Sequence, residues 1–117
     1  MVYEDPQPIQ REAAEMAMSR GREEEAAEAL IRVALHDSDG PWAESFCLRG
    51  LRDQRDDVRR AAITALGHIA RLRHSIGNNA VRALEELRSD PVVGGTAEDS
   101  LSDIAIFVSS YRGDAVR

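Results

Sequence analysis

The side chains of this 117-residue chain best suited to catalysis or metal binding are three histidines and one cysteine. His36, His68 and His74 do not stand at a zinc-site spacing from one another, from the cysteine or from a carboxylate. Cys47 has no partner in a Cys-x-x-Cys pair, and its place on a predicted helix favours burial over reactivity. The serines of the C-terminal stretch stand in no nucleophile-elbow context. The sequence therefore predicts no catalytic centre, no metal site and no cofactor.

Two short stretches match ligand-binding loops only in part. "DSDG", residues 37–40, begins like a calcium loop, but the later ligands and the terminal glutamate are missing, so a helix-ending turn is the better interpretation. Gly94-Gly95 is not followed by the Lys-Ser/Thr of a phosphate loop. We therefore expect a protein that is not an enzyme.

Charge gives a more informative signal. Asp99 and Asp103 are four residues apart and share a helix face, with Glu98 beside them. Like charges at this spacing are mildly destabilising, and two interpretations stay open: a solvated face, or an acidic patch for a cationic partner. The formal net charge of −6 and the pI of about 5.0 argue against nucleic-acid binding and are compatible with a basic protein partner.

The apolar residues that must position these side chains recur at helical spacing, and no stretch alternates as a strand does. Short connections favour antiparallel neighbours in one all-α domain, residues 1–117. The predicted helices span about residues 9–20, 22–36, 41–51, 56–73, 80–87 and 91–111, the last ending near Tyr111.

Two starts compete for the last helix. In the favoured one the helix begins at Pro91 after Asp90 as N-cap, and Gly94 and Gly95 allow a close helix approach. In the other the helix begins later, with Thr96 as N-cap.

The stretch "DDVRRAAITALGHIA", residues 56–70, aligns with "PVVGGTAEDSLSDIA", residues 91–105, at an offset of 35. "EEEAAEALIRVALHD", residues 23–37, is a looser third copy. A period of this size indicates an array of two-helix units that must stack to bury their apolar faces. The aligned apolar pairs are Val58 with Val93, Ala62 with Ala97, Leu66 with Leu101 and Ile69 with Ile104.

The order of residues in this unit resembles the HEAT-repeat family. The resemblance covers residues 41–110 well and 9–38 weakly, and it implies a right-handed α–α superhelix, a short HEAT-like solenoid of about three helix pairs. These pairs fall at about residues 9–36, 41–73 and 77–111. The residues that carry the resemblance are Asp57, Val58, Arg59, Ala62, Ala65, Leu66, Gly67 and Ile69.

In HEAT-like arrays the second helix of each unit lines the concave surface, which commonly binds proteins. The helical wheel of residues 56–73 also places Gly67 outward. His68 and Asp103 are equivalent positions, so we expect them to approach and the carboxylate to favour a charged imidazole. Arg59 should pair with Asp56 or Asp57. The candidate partner-binding residues are Glu28, Arg32, Arg60, Thr64, His68, Arg71, Asp99, Ser102, Asp103 and Ile106.

Three segments, "ALHDSDGPW", "DVRRAAITALGHIARL" and "AEDSLSDIAIF", resemble small bacterial HEAT-repeat proteins associated with polymorphic toxins. The resemblance implies an immunity protein that neutralises a cognate toxin by occluding its active site, and acidic charge would suit a basic toxin domain. The alternative is an accessory or lyase-like HEAT-repeat subunit serving an enzyme or a cofactor-bearing partner. That role predicts a deep apolar groove with a reactive or coordinating residue.

Localisation follows from what the chain lacks. A single cysteine permits no internal disulfide, which suits a reducing compartment. "MVYEDPQPIQ" has acidic residues and prolines where a signal peptide needs a basic and then an apolar run. No apolar stretch approaches the roughly 18 residues of a membrane span. We therefore expect a cytoplasmic protein that does not bind membranes.

Overall fold

The computed structural model describes residues 5–108, which form six α-helices and no strands. The helices pack as three consecutive pairs, and the second helices of the pairs, α2, α4 and α6, lie side by side with α4 in the middle. The predicted all-α class and short helical solenoid are confirmed. The predicted end of the last helix at Tyr111 lies outside the described residues. The helices are α1 (Arg11–Arg20), α2 (Glu23–His36), α3 (Gly40–Gly50), α4 (Asp56–Arg73), α5 (Asn78–Leu87) and α6 (Gly94–Phe107).

The core is built from the apolar positions that the repeat alignment brings together. All eight residues of the four aligned pairs are buried, and the most exposed of them, Leu101, reaches only 8%. Beyond these aligned positions α4 also buries Ile63, Ala65 and Ala70, so it packs against neighbouring helices on several sides. Because these neighbours include α2, α3 and α6, α4 is the central element of the fold.

The helix ends show why the chain turns where it does. The side chain of Asp39 accepts a hydrogen bond from the backbone N–H of Trp42 at 3.1 Å, which caps the start of α3. At α2 the arrangement is reversed, since the side chain of Glu25 in the first turn accepts a hydrogen bond from the backbone N–H of the N-cap residue Arg22 at 2.7 Å. His74 ends α4 in a left-handed conformation with φ 55°.

The start of α6 differs from both predictions. The regular helix begins at Gly94, because Asp90 caps a turn before the helix rather than the helix itself. One oxygen of Asp90 accepts the backbone N–H groups of Val92 at 2.8 Å and Val93 at 3.0 Å. A start at Pro91 is therefore wrong. A start with Thr96 as N-cap is also wrong, since that residue lies inside the helix.

The two glycines of α6 are not equivalent. A Cβ added to Gly94 would lie 2.5 Å from the carbonyl oxygen of Arg88, whereas one added to Gly95 would meet nothing within 4 Å. The close approach expected for the pair is therefore made by Gly94 alone, against the end of α5.

The helical spacing of Ile9, Ala13, Met16 and Ala17 predicts an apolar stripe on α1, but the structure buries a different residue. Ala14 is its buried residue, whereas Ala13 is exposed and Met16 is 57% exposed. Alanines stand on two sides of this short helix, so its sequence does not identify a single apolar face.

Arg59 joins the second and third helix pairs. Its guanidinium contacts Asp56 at 3.0 Å, which confirms the predicted pairing, and also reaches Asp90 at 3.3 Å in the turn before α6. Asp90 is therefore held between this arginine and the two backbone N–H groups that it caps.

Arg55 makes the corresponding junction with the first helix pair. It donates hydrogen bonds to the carbonyl oxygens of Gly21 at 3.1 Å and Met18 at 3.2 Å, at the turn between α1 and α2. An ion pair with Asp53 at 2.8 Å orients the guanidinium. The start of α4 is thus fastened to the turns of both neighbouring pairs.

Candidate partner-binding surface

The outer faces of α4 and α6 bring eight of the ten predicted partner-binding residues together, and none of the eight is buried. We call this surface the α4–α6 ridge. The register of the two helices is shown by two contacts: the Ser100 hydroxyl reaches the carbonyl oxygen of Ile63 at 2.8 Å, and His74 Nδ1 contacts the carbonyl oxygen of Phe107 at 3.0 Å. In this register the charge of Asp103 acts on the imidazole of His68. The ridge residues are Arg60, Thr64, His68 and Arg71 of α4, and Asp99, Ser102, Asp103 and Ile106 of α6.

Gly67 does not face outward as predicted, because α6 crosses α4 directly over it. A Cβ at Gly67 would lie 2.9 Å from the hydroxyl oxygen of Ser100 and 3.5 Å from a carboxylate oxygen of Asp103. The hydroxyl of Ser100, itself buried, donates to the carbonyl oxygen of Ile63 at 2.8 Å. This contact holds the two helices close enough for the ridge to form one surface.

The charge of His68 is set by more than its carboxylate neighbour. Burial lowers the pKa of His68, and the nearby charge of Arg71 lowers it further. The carboxylate of Asp103 raises this pKa, but by less than the other two effects lower it. A guanidinium nitrogen of Arg71 lies 3.4 Å from His68 Nδ1. The expected effect of Asp103 has the right sign, but the prediction of a charged imidazole is wrong, because burial and the charge of Arg71 together outweigh it.

A titration of His68 by NMR should show these opposing effects. We expect a midpoint below the ordinary histidine pKa of about 6.5. Asp103→Asn should lower the midpoint further, and Arg71→Ala should raise it. Because folding favours the neutral ring, stability is higher above the ordinary pKa and falls as the pH drops through the lowered one. A rise of the midpoint in Asp103→Asn would contradict this assignment.

The two carboxylates of the ridge differ from most others in the chain. Within residues 5–108, Asp99 and Asp103 form no ion pair and no hydrogen bond. Their neighbour Glu98 does form an ion pair, with a carboxylate oxygen 3.9 Å from Nε of Arg88. Free carboxylates on an ordered helix are available to a cation from outside. The carboxylates that are paired include Glu15 with Arg49 at 2.6 Å, Asp57 with Arg60 at 2.7 Å and Asp37 with Arg11 at 3.0 Å.

Exposed apolar side chains also lie on α4 and α6. Ile106, three residues after Asp103, is 72% exposed, and Leu72 is 54% exposed. Leu72 is not among the predicted residues, although it stands four residues after His68 and so shares its face. Exposed apolar groups beside free charges are typical of protein-binding surfaces.

The remaining two predicted residues, Glu28 and Arg32, lie on α2 and are not part of the ridge. Arg32 donates to the carbonyl oxygens of Gln7 at 2.7 Å and Pro8 at 2.9 Å, and its guanidinium lies 3.8 Å from the carboxylate of Glu28. Hydrogen bonds to the extended residues that precede α1 therefore use this arginine. No periodic pattern in the sequence predicts these contacts.

The comparisons with known proteins agree with this geometry. The model of the HEAT repeat family matches residues 45–72, which cover much of α3 and nearly all of α4. The second helix pair is similar to a HEAT repeat. Among solved structures, a chain of "Crystal structure of CDI complex from Cupriavidus taiwanensis LMG 19424" is 28% identical, with a TM-score of 0.76. The match covers 92% of this chain and 97% of that chain. None of the curated proteins matches the sequence.

Trp42 and Cys47 have structural roles in this HEAT-like array. The ring of Trp42 is partly buried, stacks on Phe46 with centroids 5.2 Å apart, and carries the guanidinium of Arg11 at 4.4 Å from its centroid. Cys47 is fully buried, and burial raises the pKa of its thiol, which makes the thiolate rare.

Residues 5–108 offer neither a metal-binding cluster nor a membrane-spanning helix. No three histidine, cysteine, aspartate or glutamate side chains there are grouped so that they could hold a metal ion. None of the helices in the described part combines the length and the apolar character needed to span a membrane.

Proposed function

We propose that this chain is an immunity protein that binds a cognate toxin and neutralises it by occluding the toxin's active site. The observation that carries the proposal is the likeness to a chain of similar length that was crystallised in a CDI complex, which fits a toxin-binding role. The segments that resemble immunity-type HEAT-repeat proteins support it independently. Under this proposal the protein acts in the cytoplasm and catalyses no reaction.

The α4–α6 ridge is the surface best suited to the toxin. Its free carboxylates, Asp99 and Asp103, can accept hydrogen bonds from arginine or lysine, and Ile106 can enter an apolar contact. The net charge of −6 favours encounter with a basic domain. Occlusion needs a rigid surface of the right shape, which packed helices supply.

The alternative role, an accessory or lyase-like subunit, has no specific support. It needs a reactive or coordinating side chain in an apolar groove. In residues 5–108 the groove between α3 and α5 is lined by no histidine or cysteine, and Cys47 is buried elsewhere. No observation therefore favours this role over toxin binding.

Co-expression with the cognate toxin domain tests the proposal. We expect cells that express the toxin alone to stop growing, and cells that also express this chain to grow normally. The two proteins should co-purify as a stable complex. A toxin from an unrelated system is the control and should not be neutralised. Failure of both rescue and co-purification would overturn the proposal.

A further inference from the structure

The layer of the solenoid formed by α1, α3 and α5 contains a groove between α3 and α5. These two helices each pack on the other layer but scarcely touch one another. The groove has a volume of about 420 Å³, and a second stretch of about 590 Å³ continues it towards the loop between α4 and α5. Its apolar floor consists of Leu48, Leu51, Ala83 and Leu87. Three of these four are only partly buried, so the floor is open to a partner.

The rim of this α3–α5 groove carries charge opposite to that of the whole chain. Arg52 and Arg82 are exposed, and within residues 5–108 neither forms an ion pair or a side-chain hydrogen bond. In the first stretch Glu86 is the one carboxylate beside these two arginines, so positive charge prevails there in a chain of net charge −6. Glu44 lines the second stretch, where one of its oxygens accepts the backbone N–H of Gly77 at 3.0 Å. A free guanidinium beside an apolar floor can pair with a carboxylate in bidentate geometry.

The length of the groove follows from the spacing of its lining residues. On α5 these are residues 79, 82, 83, 86 and 87, which recur every three or four positions and form one face along the helix. A helix of 10 residues is about 15 Å long. A groove of this length accommodates two to three turns of a partner helix.

We propose that the α3–α5 groove docks an acidic amphipathic helix of a partner protein, about two to three turns long. Its apolar side chains lie on Leu48, Ala83 and Leu87, as in other helix-in-groove complexes. Its carboxylates pair with Arg52 and Arg82. This surface is separate from the α4–α6 ridge and does not depend on the proposed toxin binding.

Binding of three fluorescein-labelled model peptides to the full chain, measured by fluorescence anisotropy, tests the proposal. The first peptide carries leucines at positions i, i+3, i+4 and i+7 and glutamates elsewhere. The second has lysines in place of the glutamates, and the third is a scrambled version of the first. We expect the first to bind about tenfold or more tightly than the others, because only it offers both carboxylates and an apolar face.

Charge reversal in the groove should reverse this preference. Arg52→Glu together with Arg82→Glu should lower the affinity for the acidic peptide by about tenfold and raise the affinity for the lysine peptide. Ala83→Arg should block the binding of both peptides, because the larger side chain covers the apolar floor of the groove. Arg20→Glu is the matched control, since Arg20 is an exposed arginine of α1 with no ion pair in the described residues. It should leave binding unchanged.

Several results would overturn the proposal. These are no binding of the acidic peptide, equal binding of all three, or amide resonances that shift only outside the groove-lining segments, residues 41–52 and 75–87. A homodimer that Arg82→Glu dissociates would assign the groove to a second copy instead. Because the assay contains no toxin, its failure leaves the immunity proposal standing, and variants of the ridge should bind the acidic peptide normally.

Discussion

Reversal of the two ridge carboxylates, Asp99→Arg with Asp103→Arg, should abolish toxin binding and leave the fold intact. Loss of one side of a desolvated charged pair typically costs about 2–5 kcal/mol, so loss of two should weaken binding by about a thousandfold or more. Stability should change little, because neither carboxylate forms an ion pair within residues 5–108. Calorimetric titration of the cognate toxin measures the first effect, and thermal melting followed by circular dichroism measures the second.

Two further variants separate specific contact from net charge. Asp5→Arg with Glu12→Arg changes the charge equally at two exposed residues away from the ridge, and it should bind the toxin nearly as the parent does. Asp99→Asn with Asp103→Asn keeps the shape of the side chains and should lose part of the affinity. If the double arginine variant bound like the parent, the toxin would have to use another face.

Substitution of one glycine at the start of α6 should strongly destabilise the protein, whereas substitution of the next should not. In Gly94→Ala the new methyl group would lie 2.5 Å from the carbonyl oxygen of Arg88. A backbone atom cannot rotate away as a side chain can, so the turn between α5 and α6 must open. We expect the free energy of unfolding to fall by about 1–3 kcal/mol. The same change would displace α6, and with it Asp99 and Asp103.

Gly95→Ala is the internal control. It adds the same methyl group one residue later, where nothing lies within 4 Å, and it removes the flexibility of a glycine from a helix. We expect the free energy of unfolding to rise by about 0.5–1 kcal/mol. Urea denaturation of both variants measures the two free energies of unfolding. Equal effects at the two positions would show that the contact with Arg88 does not restrain the turn.

The sequence predicted best those elements whose signals are local. The bounds of α4, residues 56–73, agree with the structure, because acidic residues, a continuous apolar stripe and a terminal basic turn all lie within the helix. The alignment at an offset of 35 identified the buried positions, since each unit meets its neighbour in the same way. For the same reason it correctly placed His68 beside Asp103.

The sequence failed where a distant contact decides the outcome. The start of α6 depends on the backbone groups held by Asp90 and on the packing of Gly94 against Arg88, neither of which a helical pattern reveals. The ionisation of His68 depends on its burial in the fold and on the charge of Arg71. The groove between α3 and α5 was missed because it lies between elements, and a helical wheel describes one element at a time.

The position of α4 has a consequence for how the molecule comes apart. Long repeat arrays can fray from an end, one unit after another. Here Arg55 and Arg59 tie the start of α4 to the turns of both outer pairs, and α4 packs against α2, α3 and α6. Once α4 melts, α5 and α6 lose their main contact with the rest of the core, and α2 is left with α1 and α3 alone. Unfolding should therefore be all-or-none, with Trp42 fluorescence and helical circular dichroism lost in one coincident transition. Proteases would then meet few half-open intermediates.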